Sequence, residues 1–139
     1  VIEDGVANDG GEASDEDSAS REGGSRADCL FCRIVDGLLP AKVLLRGKSV
    51  VAFADVNPQA PFHALVVPVR HVENAATVNA GDGDVLEEML LVARDVAGSS
   101  GLAGGGYRLV MNVGDDAGNT VPHLHLHVLA GRKMGWPPG

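Results

Sequence analysis

The 139 residues make one domain's worth of chain, and a hydrophobic content of 45% supports one modest core. The net charge of −8 sits at the start: residues 1–28 hold nine Asp and Glu against two Arg and carry −7, while the rest carries −1. A nearly neutral body without a basic stripe argues against a nucleic-acid partner. No run reaches the roughly 18 apolar residues of a membrane span, and no charged start leads into an apolar secretory segment, so a cytoplasmic protein with no membrane partner is expected.

Residues 1–27 are rich in Gly, Ser, Ala, Asp and Glu and lack aromatic residues, which predicts a disordered acidic leader ahead of a domain over 28–139. Asp28 can cap a short helix through Ile34 or Val35, stopped by Gly37 and Pro40. This helix carries Cys29 and Cys32, spaced C-x-x-C, which read as a reduced pair, a redox pair or half of a metal site. Residues 43–46 and 49–55 read as a hairpin, 57–62 as a rigid loop and 63–69 as a strand that Pro68 ends or places at an edge. Asp82 or Asp84 opens the main helix, whose apolar residues from Val85 to Val96 recur at helical spacing until Gly98 and Gly101. Strands are predicted at 106–113 and 123–130, joined by a polar, glycine-rich loop at 114–120, and the proline-rich tail 134–139 suits neither element. The sum is an α+β fold, a five-stranded, mainly antiparallel sheet with one long and one short helix.

The run His123-Leu124-His125-Leu126-His127 falls in the last predicted strand. Side chains alternate across a strand, so the three histidines share one face at steps of about 7 Å, and Leu124, Leu126 and Val128 share the core face. Three imidazoles on an exposed face beside a glycine-rich loop read as metal ligands or catalysts. A neutral imidazole is a nucleophile near pH 7 when one ring nitrogen is free and the other N–H is held by an acceptor. Such a group can attack phosphorus and form a phosphoramide that water later hydrolyses. Neighbouring histidines and the N–H groups of residues 114–120 can stabilise the phosphoryl oxygens, so no catalytic metal is expected. Gly47-Lys48-Ser49 imitates the end of a phosphate-binding loop, but residue 42 is Lys where that motif has Gly, and a strand follows.

The triad run, together with Asp55-Val-Asn-Pro-Gln-Ala-Pro-Phe-His63, Gly106-Tyr-Arg-Leu-Val-Met-Asn112 and the ending Gly131-Arg-Lys-Met-Gly-Trp-Pro-Pro-Gly139, resembles the histidine triad superfamily and, within it, the nucleotide-binding branch. The resemblance covers about residues 28–139. It implies a homodimer whose two sheets join into ten strands, and hydrolysis of purine nucleoside phosphoramidates and related adenylates to the nucleoside monophosphate. By position it makes His125 the nucleophile, with His127 and His63 contacting the phosphate and handling protons and His123 supporting from behind. Asn112, Thr120 and the loop around Gly118 would bind the phosphate or leaving group. Asp55 would hold the ribose hydroxyls; Leu30, Phe31, Ile34, Phe53 and Val56 would line the base pocket; and Trp136 would reach toward the partner's site. The resemblance also implies, for some members, a structural zinc on Cys29, Cys32, His71 and His123, whose two thiolates and two imidazoles suit a closed tetrahedral site.

The residues alone leave alternatives open. Phe31, Phe53 and Val56 also read as core, Asp55 as the start of a turn, Asn112 as a strand end and Trp136 as packing on its own chain. The cysteines also read as a reduced pair with His71 on the surface. Thr120 stands where many relatives carry Ser, which keeps the hydroxyl but stiffens χ1. Pro122 stands where relatives often carry an aromatic residue, and it lacks an N–H donor. Dinucleoside polyphosphate cleavage, nucleotidyl transfer, a non-catalytic nucleotide- or protein-binding module and a zinc-dependent interaction protein are the competing functions. The intact His125 and the Trp-Pro-Pro-Gly ending favour the phosphoramidase.

Overall fold

A computed structural model describes residues 26–139. Nearly all of the expected leader therefore lies outside the described residues. Arg26 and Ala27, assigned to it from sequence, form a 3-10 turn with Asp28. Arg26 fastens this turn by donating to both carboxylate oxygens of Asp36, at 2.6 and 3.3 Å, and to the Val69 carbonyl at 2.7 Å.

Helix α1, Leu30–Val35, buries Phe31, Cys32, Ile34 and Val35. Its N-cap is Cys29 rather than the expected Asp28: the Cys29 sulfur accepts from the Cys32 N–H at 3.3 Å. Both cysteines are buried in the α1 core cluster, and that inward packing sets where the first turn begins. Past the end of the helix, Gly37 at φ 78° donates to the Ile34 carbonyl and the Leu38 N–H to that of Arg33. This pair of bonds satisfies carbonyls that a helix end otherwise leaves open.

The strands are β1 (Val43–Arg46), β2 (Val50–Ala54), β3 (Phe62–Pro68), β4 (Tyr107–Val110) and β5 (Leu126–Ala130). They form one sheet in the order β1-β2-β3-β5-β4, with every neighbouring pair antiparallel. The long helix α2, Gly83–Ser99, covers one face. Its Met89, Val92, Ala93, Val96 and Ala97 pack on Val50, Ala52, Ala64, Val66, Leu126 and Val128. Helix α1 covers part of the other face, over Val51, Phe53, Leu65 and Val67. Strands β2 and β3 are thus covered on both faces, which explains their unbroken apolar runs. Asp82 precedes α2 but does not cap it with its side chain; its carboxylate pairs with Arg70 and accepts from the Asn79 N–H. No described helix is long and apolar enough to cross a membrane.

The last strand is shorter than the predicted 123–130. Its ladder with β3 stops at the pair Val66 and Leu126. Beyond it Pro68 has no N–H to offer, and the chain turns away: the His123 N–H bonds the Val121 carbonyl at 2.9 Å and the Leu124 N–H the Val72 carbonyl at 2.6 Å. His123 and His125 therefore precede the strand, and only His127 lies on it.

Candidate functional site

Alternation along β3 and β5 sends Ala64, Val66, Leu126 and Val128 toward α2. His63 and His127 point to the opposite face, where Phe31 of α1 meets His125 edge-on at 5.1 Å between ring centroids. The rings of His125 and His127 stand 5.0 Å apart, and those of His63 and His127 5.2 Å apart. The expected exposed face is in fact closed in: His123 is 0%, His125 6%, His127 8% and His63 5% exposed. Leu124, by contrast, lies in the α2 core as expected.

The hydrogen bonds fix where each proton sits. The His123 carbonyl lies 2.7 Å from His125 Nδ1, and a carbonyl can only accept, so Nδ1 carries the hydrogen and Nε2 keeps its lone pair. The Gln59 N–H donates to His63 Nδ1 at 3.0 Å, which puts the hydrogen of His63 on Nε2. That Nε2–H faces His127 Nδ1 at 2.9 Å and an Asp55 carboxylate oxygen at 3.3 Å. His127 Nδ1 accepts, and its own hydrogen is on Nε2. The site thus pairs one imidazole bearing a free lone pair with one bearing an N–H donor.

Burial disfavours the cationic form and holds the pKa of His63 and of His125 below the ordinary 6.5. At His127 burial, reinforced by the proximity of His125 and His63, pushes it down to about 4. Nearby Asp55 opposes the shift at all three without reversing it. At neutral pH these rings are uncharged.

Asp55 starts a turn, accepting from the Asn57 N–H at 2.8 Å, and its side chain is wholly buried against His63. Phe31 and Phe53 are fully buried and meet edge-to-face at 5.5 Å, so they are core, with Ile34 beside them. Leu30 is half-buried, and Val56, at 72% exposure, is not core. Asn112 lies just past β4, and the loop behind it turns through Asp115–Ala117 between Gly114 and Gly118, both with positive φ. Gly118 and Thr120 are exposed, and the side-chain carbonyl of Asn119 is buried without a hydrogen-bond partner among the described residues. Asn112, Asp116 and Trp136 line a common cavity of about 670 Å³, with the indole 83% exposed. The backbone groups of His123, Gln59 and Pro68 also build the site. Nothing in residue type pointed to them, because backbone partners are set by how the chain turns.

A second cluster lies behind the triad. His123 Nδ1 is 3.2 Å from Cys29 Sγ, 3.4 Å from Cys32 Sγ and 3.2 Å from His71 Nδ1, and His71 Nδ1 is 3.3 Å from Cys32 Sγ. All four atoms lie within 4.8 Å of one another, and all four residues are buried. The Pro68 carbonyl takes the His123 Nε2–H at 2.9 Å, so the lone pair of Nδ1 points into the cluster. Tetrahedral zinc, with bonds of about 2.0–2.3 Å, needs ligand atoms roughly 3.3–3.8 Å apart. The donor set and its spacing fit such an ion. Within the pair, the Cys32 hydrogen bond pulls the Cys29 thiol strongly down, and the same contact pushes Cys32 up.

The HIT domain matches residues 37–134. A HIT-like protein of Synechocystis is 41% identical over 112 residues, covering 81% of this chain and 97% of that protein. One of Synechococcus elongatus is 40% identical over the same shares. Among solved structures, a HIT family hydrolase from Legionella pneumophila is 46% identical with a TM-score of 0.78, covering 80% of this chain and 99% of that one. A histidine triad protein from Clostridium difficile is 37% identical with a TM-score of 0.76, covering 80% and 96%. In sequence and in fold, the chain belongs to the HIT domain family.

Proposed function

We propose that this chain hydrolyses purine nucleoside phosphoramidates and related adenylates, as the nucleotide-binding branch does, through a nucleotidylated His125. One observation carries the reading: a buried, neutral His125 whose Nδ1–H is held by the His123 carbonyl at 2.7 Å, leaving Nε2 free. The Nε2 lone pair attacks phosphorus, the bond to the leaving amine breaks and the amine takes up one proton from solvent, which the later attack of water releases again. Water then cleaves the phosphorus–Nε2 bond and returns the free imidazole and the nucleoside monophosphate. His127 offers its Nε2–H to the phosphoryl group or the leaving atom, and His63 holds it in that tautomer. Asn112, Thr120 and the N–H groups around Gly118 bind the phosphate, Asp55 the ribose, and Leu30 and Val56 the base, over the buried Phe31, Ile34 and Phe53. The hydrolases of Legionella pneumophila and Clostridium thermocellum, 46% and 40% identical, support a hydrolytic reading.

A structural zinc on Cys29, Cys32, His71 and His123 would tie α1 and the segment after β3 to the triad. It would serve as a cross-link, since all four positions of the ion are filled by protein. The site is assembled in a homodimer through β4. This edge strand leaves Tyr107 and Leu109 exposed, and Trp136 extends from the tail.

The test is release of adenosine monophosphate from an adenosine phosphoramidate by the parent chain and by His125→Ala. Release by the parent alone, with a nucleotidyl adduct trapped on His125, supports the reading. Absence of release by a parent that still binds the nucleotide overturns it in favour of a binding module.

A further inference from the structure

The free edge of β4 carries opposite charge at its two ends. Tyr107 pairs with Ala130, so Arg132 and Lys133 follow at that end. With Arg108 they line a cavity of about 530 Å³. Arg132 spends Nε on the Gln59 carbonyl and Nη1 on that of Lys133, and Arg108 donates to the Gly135 carbonyl. None of the three has a carboxylate partner among the described residues. At the other end, past Val110 and beside the histidine site, the loop presents Asp115 and Asp116, both exposed and without a cationic partner among the described residues.

Two copies joined along β4 can run antiparallel or parallel. The parallel arrangement sets cations on cations and acids on acids. The antiparallel one, with its two-fold axis normal to the sheet, keeps both histidine faces on the same side. It brings the Arg132 and Lys133 end of each copy to the Asp115 and Asp116 end of the other. We propose that Arg132 and Lys133 of one copy pair with Asp115 and Asp116 of a second copy, so that the acidic loop bordering each site is held by cations from its neighbour. This rests on the homodimer reading and deepens it: the charges select the orientation, and the site loop is complete only in the pair. The contact occurs twice by symmetry and is open to solvent, so its strength falls with salt.

The test is a charge swap in the full chain, followed by sedimentation at 50 mM and at 500 mM salt. One variant is Arg132→Glu with Lys133→Glu; the other is Asp115→Lys with Asp116→Lys. Each alone sets like charges together at both contacts and is expected to dimerise about tenfold or more weakly at low salt. Mixing the two gives one native contact and one reversed contact, both attractive, so a heterodimer of near-parental stability is expected. Its formation also shows that both variants fold. Two variants that self-associate as tightly as the parent at low salt overturn the inference while leaving the dimer intact. A parent that is monomeric at every concentration overturns the dimer reading itself and this inference with it.

Discussion

His125 is held for its chemistry by one backbone carbonyl and by burial, and the two make different predictions. His125→Ala is expected to lower turnover by about 10³-fold or more while nucleotide still binds. Turnover close to that of the parent would remove the nucleophile assignment. Since the ring packs on Phe31, the substitution also costs stability, about 1–3 kcal/mol, and a thermal melt should register it. Burial sets the pH response. The unfolded chain protonates its histidines near 6.5, whereas folded His127 does so only near 4. Stability from the neutral cluster is complete above 6.5 and is lost as pH falls from 6.5 toward 4. Activity should be flat from pH 6.5 to 8 with its acid limb below 6.5, and an acid limb centred above 7 would contradict neutral, buried rings. Asp55→Asn keeps an acceptor for the Asn57 N–H but weakens any hold on ribose. The Michaelis constant should rise several-fold with a smaller change in turnover, and unchanged kinetics would end the ribose role.

The elements were unequally legible in the sequence. Helix α2 came through from the periodicity of Val85 to Val96 alone, because one covered face is enough to impose it. The hairpin and β3 came through because their runs are apolar. The start of β5 did not, because Pro68 on a strand distant in sequence ends the ladder. The burial of the histidines did not either, because it depends on α1 folding over them, and Cys29 as cap depends on the cluster it joins. The triad's identity was legible as three residues at period two, whereas the Gln59 and His123 backbone partners were not. If zinc fills the cluster, metal analysis of chelator-free protein gives about one zinc per chain, and Cys32→Ser or a strong chelator lowers the melting temperature. Metal-free protein with an unchanged melt in chelator would remove the zinc.

At the scale of the whole molecule, β4 is one of the two outer strands of the sheet, with Tyr107 and Leu109 exposed on it. Under the proposed homodimer, Leu109→Asp places a charge in the middle of that edge and is expected to give a monomer on sedimentation while circular dichroism stays that of the parent. A variant still dimeric would place the contact elsewhere.

The opposed faces of β3 and β5 also limit which changes of chain length the protein can absorb. Val66 pairs with Leu126 and Leu65 with His127, so the two strands keep step residue by residue. Deleting Val128 would exchange the faces of everything that follows, or drag the histidines out of step with His63. Deleting one between Gly114 and Gly118 leaves that parity alone, because an exposed loop can take up the slack. Single-residue deletion scanning should therefore find two stretches with opposite outcomes: loss of the folded chain within β5, and folded protein with altered kinetics in the loop.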